Sequence, residues 1–168
     1  KAIELNPLFI SAYLNLGNIL KDSGNLKEAE LFTRKAIELN PDFADAYSNL
    51  GIILKDLGKL KEAELSLRKS IELNPHFALA HFNLANILKD VGHLKEAEFF
   101  TRKTIELNPD NAMAYSNLGI ILKDLGQLKE AELSLRKAIE LNPNFAMAHS
   151  NLGNILKDLG QLKEAELS

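Results

Sequence analysis

Apolar residues recur along this chain in two alternating stripes. In residues 44–77, Ala46, Tyr47, Leu50, Ile53 and Leu54 follow the 3- and 4-residue steps of one helix face, and Gly58 ends the run. Leu60, Ala63, Leu67, Ser70 and Ile71 then form a second stripe with the same steps. Asn74-Pro75 closes it, because proline disfavours helical geometry in the residue before it. Pro75 is also expected to open the next helix, with Asn74 as its N-cap. The predicted unit is helix A, a tight turn at glycine, helix B, and a proline-marked turn.

That unit is copied down the chain. Prolines stand at Pro7, Pro41, Pro75, Pro109 and Pro143, always 34 residues apart. Leu-Lys-Glu-Ala-Glu keeps the same step, starting at Leu26, Leu60, Leu94, Leu128 and Leu162. Length alone suggests one ordinary domain, but the period predicts an array of units sharing one elongated core. Neither helix is expected to stand alone. Helix B starts on weak caps at Lys59, His93, Gln127 and Gln161, with only Asn25 a good one, so neighbours must support it. Small residues mark the closest approach of the helices: Gly17, Gly51, Ala85, Gly119 and Gly153 in helix A, and Ala29, Ala63, Ala97, Ala131 and Ala165 in helix B. A helix-interior glycine costs roughly 1 kcal/mol against alanine, and its recurrence suggests that close packing offsets the loss. Glu30–Arg34, Glu64–Arg68, Glu98–Arg102 and Glu132–Arg136 are i,i+4 pairs in the favourable order, read as a solvated face.

The composition narrows the function. Net charge is −3 and both signs are interleaved, so nothing marks a binder of nucleic acid or of anionic membranes. The chain has no cysteine, hence no disulfide, thiolate metal site or cysteine nucleophile. That fits a reducing compartment, and a cytoplasmic location is expected. No apolar run approaches membrane-spanning length.

The residues also match a known pattern. The unit reads Tyr47-x2-Leu50-Gly51-x2-Leu54, then Ala63-x3-Leu67, Ser70 and Pro75, and this closely resembles the 34-residue tetratricopeptide repeat over the whole chain. The departures are mild. Tyr13, Tyr47 and Tyr115, or His81 and His149, stand where that family favours tryptophan, and leucines such as Leu54 replace its later tyrosine. Glu30, Glu64, Glu98 and Glu132 occupy a position that is often apolar, with leucine or phenylalanine one place on, which leaves the rotation of helix B open. The resemblance implies an all-α solenoid, a right-handed superhelix with A helices lining the concave face and B helices on the convex one. Residues 10–43, 44–77, 78–111 and 112–145 are then full repeats. Residues 1–9 are the end of a preceding repeat and 146–168 a truncated one, within a single array over 1–168.

Carrying over the concave positions gives ladders. One is Asn15, Asn49, Asn83, Asn117 and Asn151; beside it run Asn18, Ile52, Asn86, Ile120 and Asn154, with Leu14, Ser48, Phe82, Ser116 and Ser150 completing the lining. An asparagine amide offers a donor and an acceptor, which suits the N–H and C=O of one extended peptide residue. A similar ladder lies inside the repeat superhelix of O-linked N-acetylglucosamine transferases. Lys21, Lys55, Lys89, Lys123 and Lys157, each followed by aspartate, form a further ladder read as solvated. The family's carboxylate clamp is not expected, because its basic positions hold residues such as Leu14, Ser48, Asn83 and Met113. The unit at 10–43 resembles 78–111, and 44–77 resembles 112–145, so Asn-lined and Ile-lined rungs are expected to alternate with a 68-residue period.

Nothing points to catalysis. His76, His81, His93 and His149 never stand at i,i+3 or i,i+4, and His81 and His149 take a packing position. The carboxylates repeat in every unit, whereas a catalytic pair would break the repeat at one place. No cofactor or metal is expected. Met113 and Met147 are read as adaptable surface residues.

Both ends read as cut through B helices. An excerpt of a longer array, or head-to-tail stacking of chains near Ile3 and Leu167, is therefore expected. The leading expectation is a noncatalytic scaffold that binds an extended peptide or protein segment in the concave groove. The alternatives are a substrate-recruiting part of a larger enzyme such as a glycosyltransferase, or a designed or structural array without a native ligand.

Overall fold

Alternate stripes on successive helices force each helix to bury its apolar side between two neighbours. The computed structural model describes residues 10–160, and they hold nine α-helices and no strand. The A helices are α1 (Ile10–Asp22), α3 (Ala44–Asp56), α5 (Ala78–Asp90), α7 (Ala112–Asp124) and α9 (Ala146–Asp158). The B helices are α2 (Leu26–Leu39), α4 (Leu60–Leu73), α6 (Leu94–Leu107) and α8 (Leu128–Leu141). The expected copies at Pro7, Leu162 and Ala165, and the stacking ends at Ile3 and Leu167, lie outside the described residues.

The described residues form two compact units, 10–87 and 88–160. In the first, α2 packs between α1 and α3, α3 also packs on α4, and α1 touches α3. In the second, α7 packs on both α6 and α8, α8 also packs on α9, and α7 touches α9. The fold is an all-α solenoid of helix–turn–helix repeats. The core of the second unit gathers Leu118, Leu122, Leu135, Leu152, Ile155 and Leu156, all buried. In the first, Tyr13, Leu14, Ala36 and Ala46 cluster over the α1–α2–α3 junction.

The A–B turn is built by its glycine. Gly58 has φ +75°, a left-handed conformation that favours glycine. The Lys59 N–H then reaches the Leu54 carbonyl (2.8 Å) and the Gly58 N–H the Lys55 carbonyl (2.9 Å), which satisfies the last turn of α3. The close approach expected at the small residues is present. A Cβ placed on Gly51 would lie 2.6 Å from the Leu67 Cγ, and one on Gly119 would lie 2.6 Å from the Leu135 Cγ.

Three local expectations need correction. Pro75 does not open a helix and Asn74 is not an N-cap: α5 begins at Ala78, and Asn74 caps the C-terminus of α4. The Asn74 Oδ1 accepts from the His76 N–H (3.2 Å) and its carbonyl from the Phe77 N–H (3.1 Å), so the Asn-Pro pair makes a turn of its own. Asn25 gives α2 no side-chain cap bond, despite its residue type. Asn111, not anticipated as a cap, accepts from the Ala114 N–H at 3.0 Å and starts α7.

The glutamate–arginine pairs do more than line a wet face. Arg34 holds Glu30 in its own helix (2.8 Å) and Glu62 in α4 (3.0 Å), while Lys59 reaches back to Glu30 (2.8 Å). Arg102 bridges Glu98 and Glu130 in the same way in the second unit. These clamps join consecutive B helices. Burial pushes the Glu30 carboxyl up, but hydrogen bonds from Lys59 and Arg34, together with their charges, outweigh it and hold the group below the ordinary glutamate value. A carboxyl depressed in the folded state stabilises above its unfolded pKa, and that contribution disappears as pH falls through the folded value. In urea titrations the wild type therefore loses stability relative to Glu30→Gln as pH drops below the ordinary glutamate range. The difference is about 0.2–1 kcal/mol, since both cations are substantially exposed. Parallel pH curves for the two proteins would contradict the clamp.

Candidate peptide-binding face

Each A helix carries its candidate residues three positions apart, on one side of the helix. The pairs are Asn15 and Asn18 on α1, Asn49 and Ile52 on α3, Asn83 and Asn86 on α5, Asn117 and Ile120 on α7, and Asn151 and Asn154 on α9. None of these side chains is buried: Asn15 and Asn154 are exposed and the others half-buried, as is Phe82. Because α1 touches α3 and α7 touches α9, the rungs at Asn15 and Asn49 sit on adjoining helices in the first unit, as do those at Asn117 and Asn151 in the second. The helix face opposite carries Gly51 and Gly119 against the B helices, which fixes the direction in which the amides stand.

The remaining lining is less uniform than expected. Leu14 is buried in the core cluster, and Ser48 and Ser116 are fully buried, so these three do not line an open surface. Ser150 is exposed. The Lys21, Lys55 and Lys89 side chains are half-buried, and Lys21 contacts Asp22 at 3.2 Å.

Two of the four histidines have structural partners. His81 is buried and its Nε2–H donates to the Pro75 carbonyl at 2.8 Å; the His149 Nε2–H donates to the Pro143 carbonyl at 2.9 Å. Each ties an A helix to the proline turn before it. Among the described residues no three His, Cys, Asp or Glu side chains gather as a metal site, and no helix is long and apolar enough to cross a membrane. Met113 and Met147 are exposed.

A feature missed in the sequence lies on the other side of the repeats. Between α2 and α4, over α3, is a cleft of about 340 Å³ lined by Ile37, Tyr47, Leu50 and Leu65. Between α6 and α8, over α7, the equivalent cleft of about 470 Å³ is lined by Ile105, Tyr115, Leu118 and Leu133. Ile105 is half-buried where it lines this second cleft. The signal was present as the leucine after Glu64 and Glu132. The structure half-buries those glutamates and turns the leucines outward, which settles the rotation of helix B.

Residues 10–43, 44–77 and 112–145 match one family model of the tetratricopeptide repeat, and residues 66–99 and 134–166 match a second. No curated protein sequence matches the chain. Among solved structures, the chain is similar to YrrB, described as a TPR protein with an unusual peptide-binding site. The identity is 27% and the TM-score 0.82, over 98% of this chain and 85% of that one. It is also similar in fold to MamA from Desulfovibrio magneticus RS-1, with 22% identity, a TM-score of 0.86, and 94% and 89% of the two chains covered. Pseudomonas aeruginosa PilF gives 23% identity and a TM-score of 0.87, with 94% of this chain and 72% of that one covered.

Proposed function

The chain belongs to the tetratricopeptide repeat family, and from that premise we propose that it is a noncatalytic scaffold whose A helices hold an extended peptide or protein segment. The observation that carries the reading is the repeated, incompletely buried amide at Asn15, Asn49, Asn83, Asn117 and Asn151, one on each A helix. A single amide pairs with one peptide unit; a series of them grips a main chain with little demand on side chains. The similarity to YrrB, a repeat protein with a peptide-binding site, favours the same class of ligand.

The second column modulates the grip. Asn18, Asn86 and Asn154 supply further amides, whereas Ile52 and Ile120 supply half-buried apolar surface. Polar and apolar rungs thus alternate, and a bound segment is expected to place apolar side chains against Ile52 and Ile120. The full repeats at 10–43, 44–77, 78–111 and 112–145 and the truncated repeat at 146–168 would each contribute one rung; 1–9, the end of a preceding repeat, would contribute none.

The test is a displayed-peptide selection against the wild type, followed by affinity measurement on a variant carrying Asn49→Ala, Asn83→Ala and Asn117→Ala. A net contribution of about 0.5–1.5 kcal/mol per hydrogen bond predicts a loss of roughly 10- to 1,000-fold. Selected peptides that bind the variant as tightly as the wild type would overturn the proposal.

A further inference from the structure

The chain has two methionines, and both stand at one position of the repeat, Met113 on α7 and Met147 on α9. They are 53% and 54% exposed. Each lies four residues before a candidate amide, Asn117 or Asn151, so one face of each helix carries methionine and asparagine a turn apart. Ile120, half-buried, continues that face on α7. The two helices touch inside the second unit, which sets their equivalent residues side by side. Large apolar side chains left open at one repeated position of adjoining helices mark a contact surface and not scattered exposure.

The surrounding charge says what covers it. Over residues 112–122 and 146–156 neither helix carries an acid, a lysine or an arginine. In the first unit the same positions hold the exposed Ser11 on α1 and the exposed Asp45 on α3. A cationic side chain gains a partner at Asp45 and none at the methionines. An apolar side chain gains contact at the methionines without stripping water from an ionic group. The unbranched thioether also adapts to the shape it meets. Spacing narrows the ligand further. Helices in contact run about 8–10 Å apart. A polyproline-II segment advances about 9 Å in its three-residue turn, which returns every third side chain to the same side. It has no internal hydrogen bonds, so its N–H and C=O groups stay available to asparagine amides.

We propose that Met113 and Met147 are a specificity site, receiving two uncharged apolar side chains, three residues apart, of a segment bound along α7 and α9. This assignment rests on the peptide-binding function proposed for the A-helix face, and it names the side-chain chemistry that this part of the face selects.

The test titrates display-selected peptides into wild-type protein labelled at the methionine methyl carbons, where NMR gives one signal for each of the two methionines. Both signals are expected to move on binding, and the selected sequences to carry apolar residues three positions apart. Serine at that pair should weaken binding about 3- to 30-fold. A variant with Met113→Gln and Met147→Gln should lose a similar factor for the selected peptide and little for its serine form, with an unchanged far-ultraviolet helix signal. Binding is weakened and not abolished, because the amide contacts remain. Peptides that weaken on the variant with Asn49→Ala, Asn83→Ala and Asn117→Ala, yet leave both methyl signals in place or bind the glutamine variant as tightly as the wild type, overturn the methionine site alone. Peptides that respond to neither set of substitutions, or a selection that yields no binder, overturn both the site and the amide grip.

Discussion

Leu135→Ala is expected to destabilise the protein by roughly 2–5 kcal/mol. Leu135 is fully buried, and it lies in the cluster of Leu118, Leu122, Leu152, Ile155 and Leu156. Its Cγ presses on the backbone of α7 at Gly119, and its helix, α8, is packed between α7 and α9. Truncation therefore removes apolar contacts from both helix pairs at once, and the backbone approach at Gly119 leaves the resulting cavity little freedom to collapse. In a repeat array each unit draws its support chiefly from its neighbours. The loss is accordingly expected to be local: amide protection should fall first across residues 112–158, while residues 10–56 retain theirs. Denaturant titration gives the magnitude and hydrogen exchange the location. Equal loss of protection in every repeat would contradict the nearest-neighbour account.

Gly51→Ala should destabilise by about 1–3 kcal/mol, although the same change in an exposed helix normally stabilises by about 1 kcal/mol. The sign inverts because of one contact. The added Cβ would meet the Leu67 Cγ at 2.6 Å, with both methyl carbons of that leucine at 3.2 Å or less. Leu67 is fully buried, so its branch point has no open space in which to retreat. The two sites are therefore strongly coupled. With Leu67→Ala already in place, Gly51→Ala should cost little, and a double-mutant cycle on urea midpoints measures the difference. An additive cycle would show that the helices separate easily at this point.

The contacts behind these two predictions bear on what the residues alone disclose. The 34-residue recurrence of a small residue in helix A, glycine at four positions and Ala85 at the fifth, together with alanine in helix B, discloses the close approach, because backbone proximity gives a helix-interior glycine a purpose. The histidines were legible for a similar reason, since a residue that alternates with tyrosine at a packing position is filling space. The Asn-Pro turn was misread. Asparagine followed by proline fits both a helix start and a free-standing turn, and the choice depended on whether the Asn74 side chain would find the His76 N–H, which local pattern does not decide. The outer clefts were not legible either. They are gaps between helices that are consecutive B members of different repeats, and their walls depend on the rotation of helix B, which the unusual Glu-Leu order left open. The Arg34–Glu62 and Arg102–Glu130 clamps were hidden in the same way: an i,i+4 partner was visible in sequence, but the second partner stands 28 residues away. The amide rungs themselves were legible as positions. Their exposure is not uniform: Asn15 is exposed, whereas Asn49, Asn83, Asn117 and Asn151 are half-buried.

In the proposed binding mode, repeated amides hold the main chain of a ligand and not its side chains. The most direct test takes a peptide selected on the wild type and compares two series: N-methylation of each main-chain amide, and alanine at each side chain. The account predicts that methylation at several positions along the peptide weakens binding strongly, while most alanine substitutions change it little. Binding that is indifferent to methylation but abolished by one or two side-chain substitutions would contradict it.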